Sequence, residues 1–221
     1  MSVPRPELPA RLSTDVAAAD RQLSTRERIV ASALALFAEQ GFDATSVNQI
    51  VVRAGVAKGA LYHHFASKDD LLYEVYRELV DRQLDGMNAI LADRQDTART
   101  LRELIRDLVV TTAGSAPAAK VFSRESHRLG DANQARVRAA RRSIHDTFTD
   151  LVRSAQHSGE FRAVTSPDMV TFTVFGFINE LPVWYRADGP KTPVQIADEL
   201  SELILSALMP APGQLPAEGQ P

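Results

Sequence analysis

Residues 45–68, TSVNQIVVRAGVAKGALYHHFASK, decide the fold. The first half places apolar residues at positions 47, 50, 51 and 54 on one face of a short helix, which either Thr45 or Ser46 can cap. Gly55 ends this helix, and the pattern predicts a second short helix over about residues 57–65. Two short helices joined through a glycine form a helix-turn-helix when they pack on a longer helix.

The longer helix precedes this stretch, and Ser24 or Thr25 is a suitable N-cap for it. We expect Gly41 to end it as a left-handed cap. Its apolar residues form one stripe at helical spacing: Ile29, Ala33, Leu36 and Phe37.

The rest of the chain is predicted to be helical, and no strand-like alternation is present. The predicted fold is therefore all-α: a three-helix head followed by a larger helical body, with about nine helices in total. Within it, Pro182 should kink its helix near Ile178. The predicted body helices span residues 69–92, 97–112, 118–129, 133–157, 167–186 and 193–208. The predicted divisions are a mobile N-terminal arm (1–24), the helix-turn-helix head (25–69), the helical body (70–210) and a disordered tail (211–221).

Composition narrows the function classes. The 221 residues contain no Cys, which excludes a disulfide framework, cysteine-ligated metal sites and thiol catalysis. No apolar run approaches the length of a membrane span and the first residues lack a signal-peptide core, so we expect a soluble cytoplasmic protein. Residues 21–68 carry six basic residues against three acids, whereas residues 69–221 carry 17 against 22. A basic segment on an acidic body favours a nucleic-acid-binding head.

The second short helix is expected to present a polar stripe to DNA. Leu61 and Phe65 lie four residues apart and should point inward. Lys58, Tyr62 and His63 then face outward, where they can contact phosphates or base edges, and Gly59 lets the helix approach closely. Thr45 at a helix start, with Lys68 and Arg26 beside it, suits phosphate binding.

This region resembles the TetR family of bacterial transcriptional regulators over about residues 25–72. The resemblance implies phosphate contacts from Thr45, Tyr62, His64 and Lys68, and base reading around residues 56–59 and at His63. The complete set of candidate DNA contacts is Arg26, Thr45, Ser46, Val56, Ala57, Lys58, Gly59, Tyr62, His63, His64 and Lys68. The residues that carry the resemblance are Arg28-Ile29, residues 36–42 (LFAEQGF), Thr45, Ile50, residues 54–56 (AGV), Lys58-Gly59, residues 61–65 (LYHHF) and residues 68–71 (KDDL).

A single head of this size reads few base pairs, so we expect a homodimer on a palindromic operator, with recognition helices about 34–36 Å apart. The last two predicted helices are apolar on more than one face, which favours burial against a second subunit, with a monomer core as the alternative. The resemblance implies that these helices pair into a four-helix bundle. The candidate interface residues are Ile178, Leu181, Ala197, Leu200, Ile204 and Leu208.

The body is also expected to hold a small-molecule pocket, because TetR-type bodies usually do. Its candidate walls are aromatic or aliphatic, although each such residue can simply be core: Phe122, Phe148, Leu151, Phe172, Phe175 and Trp184. Polar residues inside apolar helices must pair, face solvent or meet a ligand. The candidates for a ligand contact among them are Glu125, Arg128 and Asn179.

A narrower resemblance concerns the ligand. Glu125 followed by residues 126–129 (SHRL), and residues 184–190 (WYRADGP), look like the TetR-type repressors of fatty-acid and steroid-ring catabolism, which respond to acyl-CoA thioesters. An acyl-CoA is therefore the expected effector. The four arginines at positions 136, 138, 141 and 142 form either a solvated face or a site for its phosphates.

The leading hypothesis is a repressor that a hydrophobic or acyl-CoA-type effector releases from its operator. A regulator with the same head but without a ligand, or one that activates, is the alternative. The five histidines form no metal-binding pair of the HExxH type and no phosphate-binding glycine loop is present. We therefore expect no enzyme activity, no metal and no cofactor.

Overall fold

The structure, a computed structural model, describes residues 23–93 and 95–210, and this part of the chain is helical. The predicted tail, and the predicted arm except for residues 23 and 24, lie outside the described residues. Nine α-helices and one 3₁₀ turn (Ser126–Arg128) occur in the described ranges. The helices are α1 (Thr25–Gln40), α2 (Val47–Ala54), α3 (Lys58–His64), α4 (Lys68–Ala92), α5 (Thr97–Gly114), α6 (Ala116–Glu125), α7 (Asp131–Ser158), α8 (Pro167–Trp184) and α9 (Pro193–Leu208).

Three of the helices begin with a capping box, and two of these boxes decide which of two neighbouring residues is the N-cap. Ser24, rather than Thr25, caps α1 and exchanges hydrogen bonds with Glu27. Ser46, rather than Thr45, caps α2 in the same way with Gln49. At the other end of α2, Gly55 is left-handed as expected, with φ 64° and ψ 40°.

Three helix ends differ from expectation. Gly41 ends α1 with a positive φ of 85°, but its ψ of 166° is extended, so it is not a left-handed helical cap. The predicted helix over residues 118–129 divides, because α6 ends at Glu125 and a 3₁₀ turn follows. The helix predicted to reach residue 186 stops at Trp184, and Pro182 lies in its last turn, where few intrahelical hydrogen bonds depend on it.

The head and the body share one continuous apolar core. In the head, α2 packs on α1 and α3 packs on both. In the body, α5 lies between α4 and α9, while α7 packs on α4 and α8. Two elements join the parts: α4 and α6 both pack against α1 of the head as well as against the body. A displacement of either helix would therefore reach the head.

Candidate DNA-binding surface and ligand cavity

The outward face of α3 has the orientation that the sequence predicts. Leu61 is fully buried and Phe65 is 5% exposed. On the opposite face Lys58 and His63 are exposed, and Tyr62 is half exposed. The Lys58 ammonium lies 6.0 Å from the centre of the Tyr62 ring. A cation and a phenol hydroxyl are thus presented together to solvent, the combination that suits a phosphate or a base edge.

The space in front of Gly59 is open. A methyl group added there would meet no atom of the protein within 4 Å. Gly59 is therefore not required for packing inside the head, and its lack of a side chain is available to a partner that approaches the start of α3. Ala57 and His64 are exposed on either side, and Val56 is half-buried.

Two residues expected to bind phosphate are instead used within the head. Thr45 is 1% exposed and its hydroxyl donates to the Gly41 carbonyl, 2.8 Å away. The Lys68 ammonium donates to the carbonyls of Phe42 and Thr45 at 2.8 and 2.9 Å and lies over the Phe42 ring. The structure therefore revises both expectations: these side chains fix the turn between α1 and α2, which requires its backbone carbonyls to be paired.

Arg26 likewise joins the head to the body rather than facing a partner. It pairs with Glu74 of α4, and its guanidinium lies 5.6 Å from the centre of the Phe65 ring. Burial raises the pKa of Glu74, but hydrogen bonds from Arg77 and Arg26 outweigh this effect and hold the pKa below its ordinary value. The carboxylate is therefore ionised at neutral pH, and Arg26 is held against it.

The outward surface extends onto α2, which sequence reasoning did not include apart from its cap, Ser46. Val52 is 79% exposed, and Asn48, one turn earlier, is exposed on the same side. Both residues lie on the face of α2 opposite its apolar stripe, so the helical pattern of the sequence could have identified them. Arg53 is also exposed and forms an ion pair with Glu39 of α1 at 2.6 Å.

The six residues expected at a dimer interface lie inside the subunit. All are at most 8% exposed, and Leu181 and Ala197 are fully buried. The physical reason is that the apolar stripe of α9 packs on α5 of the same chain, while α8 packs on α5, α6 and α7. The six inward residues are Ile178, Leu181, Ala197, Leu200, Ile204 and Leu208.

Apolar side chains remain exposed on the other faces of α8 and α9. Phe172 is 64% exposed, Val183 67% and Leu203 65%. Between the end of α8 and α9 runs an apolar groove of about 640 Å³ whose lining includes Trp184 and Leu203. Exposed apolar surface of this extent marks an interaction site more often than ordinary solvent-facing surface.

A separate cavity of about 250 Å³ lies within the body. Its lining comes from five helices, α4 to α8, and from the 3₁₀ turn. Phe122, Phe175 and Asn179 line it, as the sequence predicts. Phe148 is fully buried behind the wall, where its ring meets the Phe175 ring edge-on at 5.5 Å.

The other aliphatic and aromatic candidates lie away from this cavity. Leu151 is half-buried and is not among the residues that line it. Phe172 is exposed, and Trp184 borders the groove beside α9. These positions differ from expectation because an apolar residue in a helix signals burial without specifying what covers it.

The cavity has a polar side on α7. Arg141 and His145 are both half-buried there, and the His145 ring lies 4.0 Å from that of Phe175. Burial lowers the pKa of His145, and the charge of Arg141 lowers it further, against a smaller opposing effect of Asp146. The imidazole is therefore neutral at pH 7 and can both donate and accept a hydrogen bond.

Glu125 and Arg128 connect the body to the head and do not line the cavity. The Phe42 amide donates to the Glu125 carboxylate at 3.3 Å, and Arg128 pairs with Asp43 at 2.5 Å. The expectation of a ligand contact is revised, since both side chains reach the turn between α1 and α2. Phe42 and Glu125 are 83 positions apart in the sequence, so no pattern within a short stretch predicts their contact.

The described ranges, 23–93 and 95–210, also bear on membrane and metal sites. No helix there is long and apolar enough to cross a membrane. No cluster of three or more histidines and carboxylates suited to a metal ion occurs among the same residues.

Comparison with known proteins identifies the family. Residues 29–75 match the family model described as bacterial regulatory proteins, tetR family, and residues 94–208 match that of the tetracyclin repressor-like C-terminal domain. The chain is 27% identical over 199 residues to the HTH-type transcriptional repressor KstR2 of Mycolicibacterium smegmatis, covering 86% of this chain and 93% of that protein.

Two solved structures share the fold. The ketosteroid transcriptional regulator KstR2 of Mycobacterium tuberculosis superposes with a TM-score of 0.75 at 24% identity, covering 85% of this chain and 96% of that one. AibR, solved in complex with isovaleryl coenzyme A and operator DNA, superposes with a TM-score of 0.71 at 23% identity, covering 81% and 97%. The match of the C-terminal family model covers more than half of the chain, and the all-α fold agrees with it. The chain therefore belongs to the TetR family of bacterial transcriptional regulators.

Proposed function

We propose that the protein is a homodimeric repressor whose affinity for a palindromic operator falls when a small hydrophobic or acyl-CoA-type effector enters the body cavity. One observation carries the proposal: two of the five helices that line the cavity, α4 and α6, also pack on the head. A ligand that favours one position of these helices changes the position of the head, which is the coupling that a ligand-responsive regulator requires.

DNA binding is assigned to α3 and the adjacent face of α2. Lys58, Tyr62 and His63 are exposed with Leu61 buried beneath them, and Asn48 and Val52 continue the surface. Lys58 is the cation of α3 that faces outward, whereas Arg26 and Lys68 are held by internal partners. Positioning on phosphates therefore depends on Lys58 together with neutral hydrogen-bond donors such as Tyr62.

The homodimer is assigned to the exposed faces of α8 and α9. Phe172, Gly176 and Val183 occupy one outward stripe of α8, and Leu203 faces outward on α9. A methyl added at Gly176 would meet nothing within 4 Å, so another helix can approach closely there. Pairing through a two-fold axis would cover this apolar surface and place two heads at a fixed spacing.

Transmission from the cavity follows two routes. Phe122 and Ser123 of α6 line the cavity, and Glu125 at the end of the same helix binds the Phe42 amide. Tyr76 of α4 also lines the cavity, where its ring stacks on that of Phe122, and Glu74 on the same helix pairs with Arg26. A ligand that separates the Tyr76 and Phe122 rings would displace both attachments of the head.

The effector class is supported by the lining and by the relatives. The cavity combines apolar walls with a few polar groups, as small-molecule sites usually do. KstR2 is named as a ketosteroid regulator, and AibR is described as binding isovaleryl coenzyme A. A ketosteroid and an isovaleryl group both have an apolar carbon skeleton, and the isovaleryl group is joined to coenzyme A.

The proposal is tested with purified protein and a duplex that it selects from a random DNA library. We expect one dimer to bind a palindrome and a series of acyl-CoA thioesters to lower the affinity, measured by gel shift and fluorescence anisotropy. Native mass spectrometry of the freshly purified protein reports any molecule that co-purifies.

Different failures are informative. Operator binding that stays unchanged across the acyl-CoA series, with no molecule that co-purifies, would remove the effector from the proposal and leave a regulator without a ligand. An effector that increases DNA affinity would instead indicate the opposite sign of coupling. Binding of one subunit per duplex without symmetry would reject the homodimer.

A further inference from the structure

Arg141 occupies the point at which the body cavity meets a second, outer groove. The outer groove measures about 370 Å³ and lies between α7 and the first turns of α8. Arg141 and His145 line both spaces, so together they form the boundary between them. The remaining lining of the outer groove is Arg142, Asp146, Thr149, Asp168, Thr171 and Phe172.

Arg141 differs from the other arginines of its run. Arg136 donates to Asn133 at 3.4 Å and lies over the Tyr73 ring, and Arg138 donates to Gln134 at 3.2 Å. Arg141 is half-buried, whereas the other three are exposed. None of the four has a carboxylate of the described residues within 4.0 Å, so Arg141 is the one that is partly desolvated without such a partner. Only this arginine of the four lines the cavity.

The surroundings of Arg141 favour an incoming anion. A guanidinium stays charged at all physiological pH values, and a partly desolvated charge is unfavourable until an opposite charge joins it. Its neighbours on the cavity side are Tyr76 and His145, which are neutral hydrogen-bonding groups at pH 7. Exposed Glu180 also lines the cavity, and Arg142, Asp146 and Asp168 line the outer groove, but none of these carboxylates forms an ion pair with Arg141. The guanidinium at the boundary is therefore half-buried without a carboxylate in direct contact.

We propose that Arg141 binds the anionic group of an amphipathic effector whose apolar part lies in the body cavity against Phe122 and Phe175. The inference rests on the proposed function, since it specifies which molecules the cavity accepts. The shared chemistry is an apolar chain or ring system joined to an anion. The anion is either the carboxylate of a free acid or, through a thioester, the phosphates of coenzyme A, which would extend past Arg142.

The test compares ligands of one chain length by isothermal titration calorimetry on the full-length protein. Octanoate, octanoyl-coenzyme A, 1-octanol and coenzyme A alone are the probes. We expect the wild-type protein to bind an anionic octanoyl probe at least tenfold more tightly than 1-octanol. Arg141→Met should abolish this preference and leave the affinity for 1-octanol within twofold of wild type.

Two further variants make the result specific. Arg141→Lys keeps the charge and should retain most of the preference. Arg153→Met removes an exposed arginine of the same helix that is paired with Asp150, and it should bind every probe as the wild type does. The melting temperature of each variant is measured first. Should Arg141→Met not fold, Arg141→Gln takes its place as the neutral variant, and an anion preference that it keeps would reject the inference.

The same probes distinguish a free acid from a coenzyme A thioester, and they distinguish failure of the anion site from failure of the proposed repressor function. Tighter binding of octanoate identifies a free acid; tighter binding of octanoyl-coenzyme A that Arg142→Met weakens identifies the thioester. If an octanoyl probe releases the operator equally from wild type and from Arg141→Met, the anion site is rejected and the effector-responsive repressor stands. If the wild-type protein binds no probe, the anion site is rejected together with this class of effector.

Discussion

The recognition surface of the head and the boundary of the body cavity use the same residue types in opposite environments. On α3, Lys58 and His63 stand exposed on a short helix, with open space in front of Gly59. On α7, Arg141 and His145 are half-buried among aromatic side chains. An exposed cation is screened by salt and suits a long, regular polyanion, whereas a partly buried cation interacts more strongly with one small anion. Burial, rather than residue type, separates the two sites.

The largest effect is expected for a variant that no longer dimerises and so presents one DNA-binding head instead of two. Leu203→Asp places a charge on the exposed apolar face of α9 and should convert the dimer into monomers. Operator affinity then falls about 100-fold or more, because the two half-sites are no longer bound together. Sedimentation and anisotropy titration measure both quantities. Val164→Asp, at an exposed apolar residue before α8, is the control, and equal effects of both changes would contradict the assigned interface.

The next effect tests the exposed surface directly. Lys58→Ala combined with Tyr62→Ala should weaken operator binding by about 10- to 100-fold, since losing such contacts costs about 1–3 kcal/mol in total. The slope of log K against log salt should become shallower by about 1 per head for the lost phosphate contact. Effector affinity should not change. A variant that loses effector binding as well would show that the two regions do not act as separate sites.

A smaller effect is expected at the contact between the regions. Arg128→Ala removes the ion pair with Asp43, which is exposed and adds little stability. DNA affinity without effector should stay within about twofold. The factor by which effector lowers that affinity should shrink about fivefold, within the usual range of coupling energies. Arg102→Ala, which breaks an exposed pair with Glu202 elsewhere, is the matched control; the same loss of coupling there would reject this route.

Two helical glycines differ in the space around them, and substituting each by alanine tests that difference. A methyl at Gly86 in α4 would lie 2.5 Å from the Asp107 carboxylate, whereas a methyl at Gly59 meets nothing. Gly86→Ala should lower the free energy of unfolding by about 1 kcal/mol, because crowding exceeds the gain in helix propensity. Gly59→Ala should raise it by a few tenths of a kcal/mol, about what helix propensity allows, yet weaken DNA binding. Urea denaturation and DNA titration of both variants provide the readouts, and weaker folding of Gly59→Ala would contradict the open surface.

The smallest effect is a pH dependence of stability. The pKa of His145 is lower in the folded protein than its ordinary value of 6.5, chiefly through burial. The unfolded chain therefore binds this proton first, and the free energy of unfolding falls as the pH drops below about 6.5 toward the folded pKa. His145→Gln should flatten this part of the curve, measured by urea denaturation from pH 5 to pH 8. His157→Gln, at an exposed position of α7, is the control, and equal flattening in both would contradict the assignment.

The sequence predicts the side-chain directions well and the burying partners poorly. Helical periodicity correctly turns Leu61 inward and Tyr62 outward, and glycine and serine mark most helix ends. Periodicity also predicts that the stripe of α9 is buried, yet it does not distinguish α5 of the same chain from a second subunit as the covering partner.

Polar contacts between residues that are distant in sequence cannot be predicted from a local pattern either. Thr45 and Lys68 have the residue types and positions of phosphate ligands, but the carbonyls of the preceding turn engage them first. Glu125 interrupts an apolar helix because its partner is a backbone amide of the head. Such contacts depend on how helices distant in sequence come together, which composition and spacing do not encode.

The three-residue 3₁₀ turn after α6 has a consequence for engineering. Ser126 at its start borders the cavity, while Arg128 at its end holds Asp43, so the two are separated by a single residue. Inserting one residue there would rotate the second contact away from the head and leave both binding surfaces intact. We expect a weakened sensor: the protein would still take up its small molecule and still occupy its promoter, but only the contacts of Glu125 and Arg26 would connect the two events.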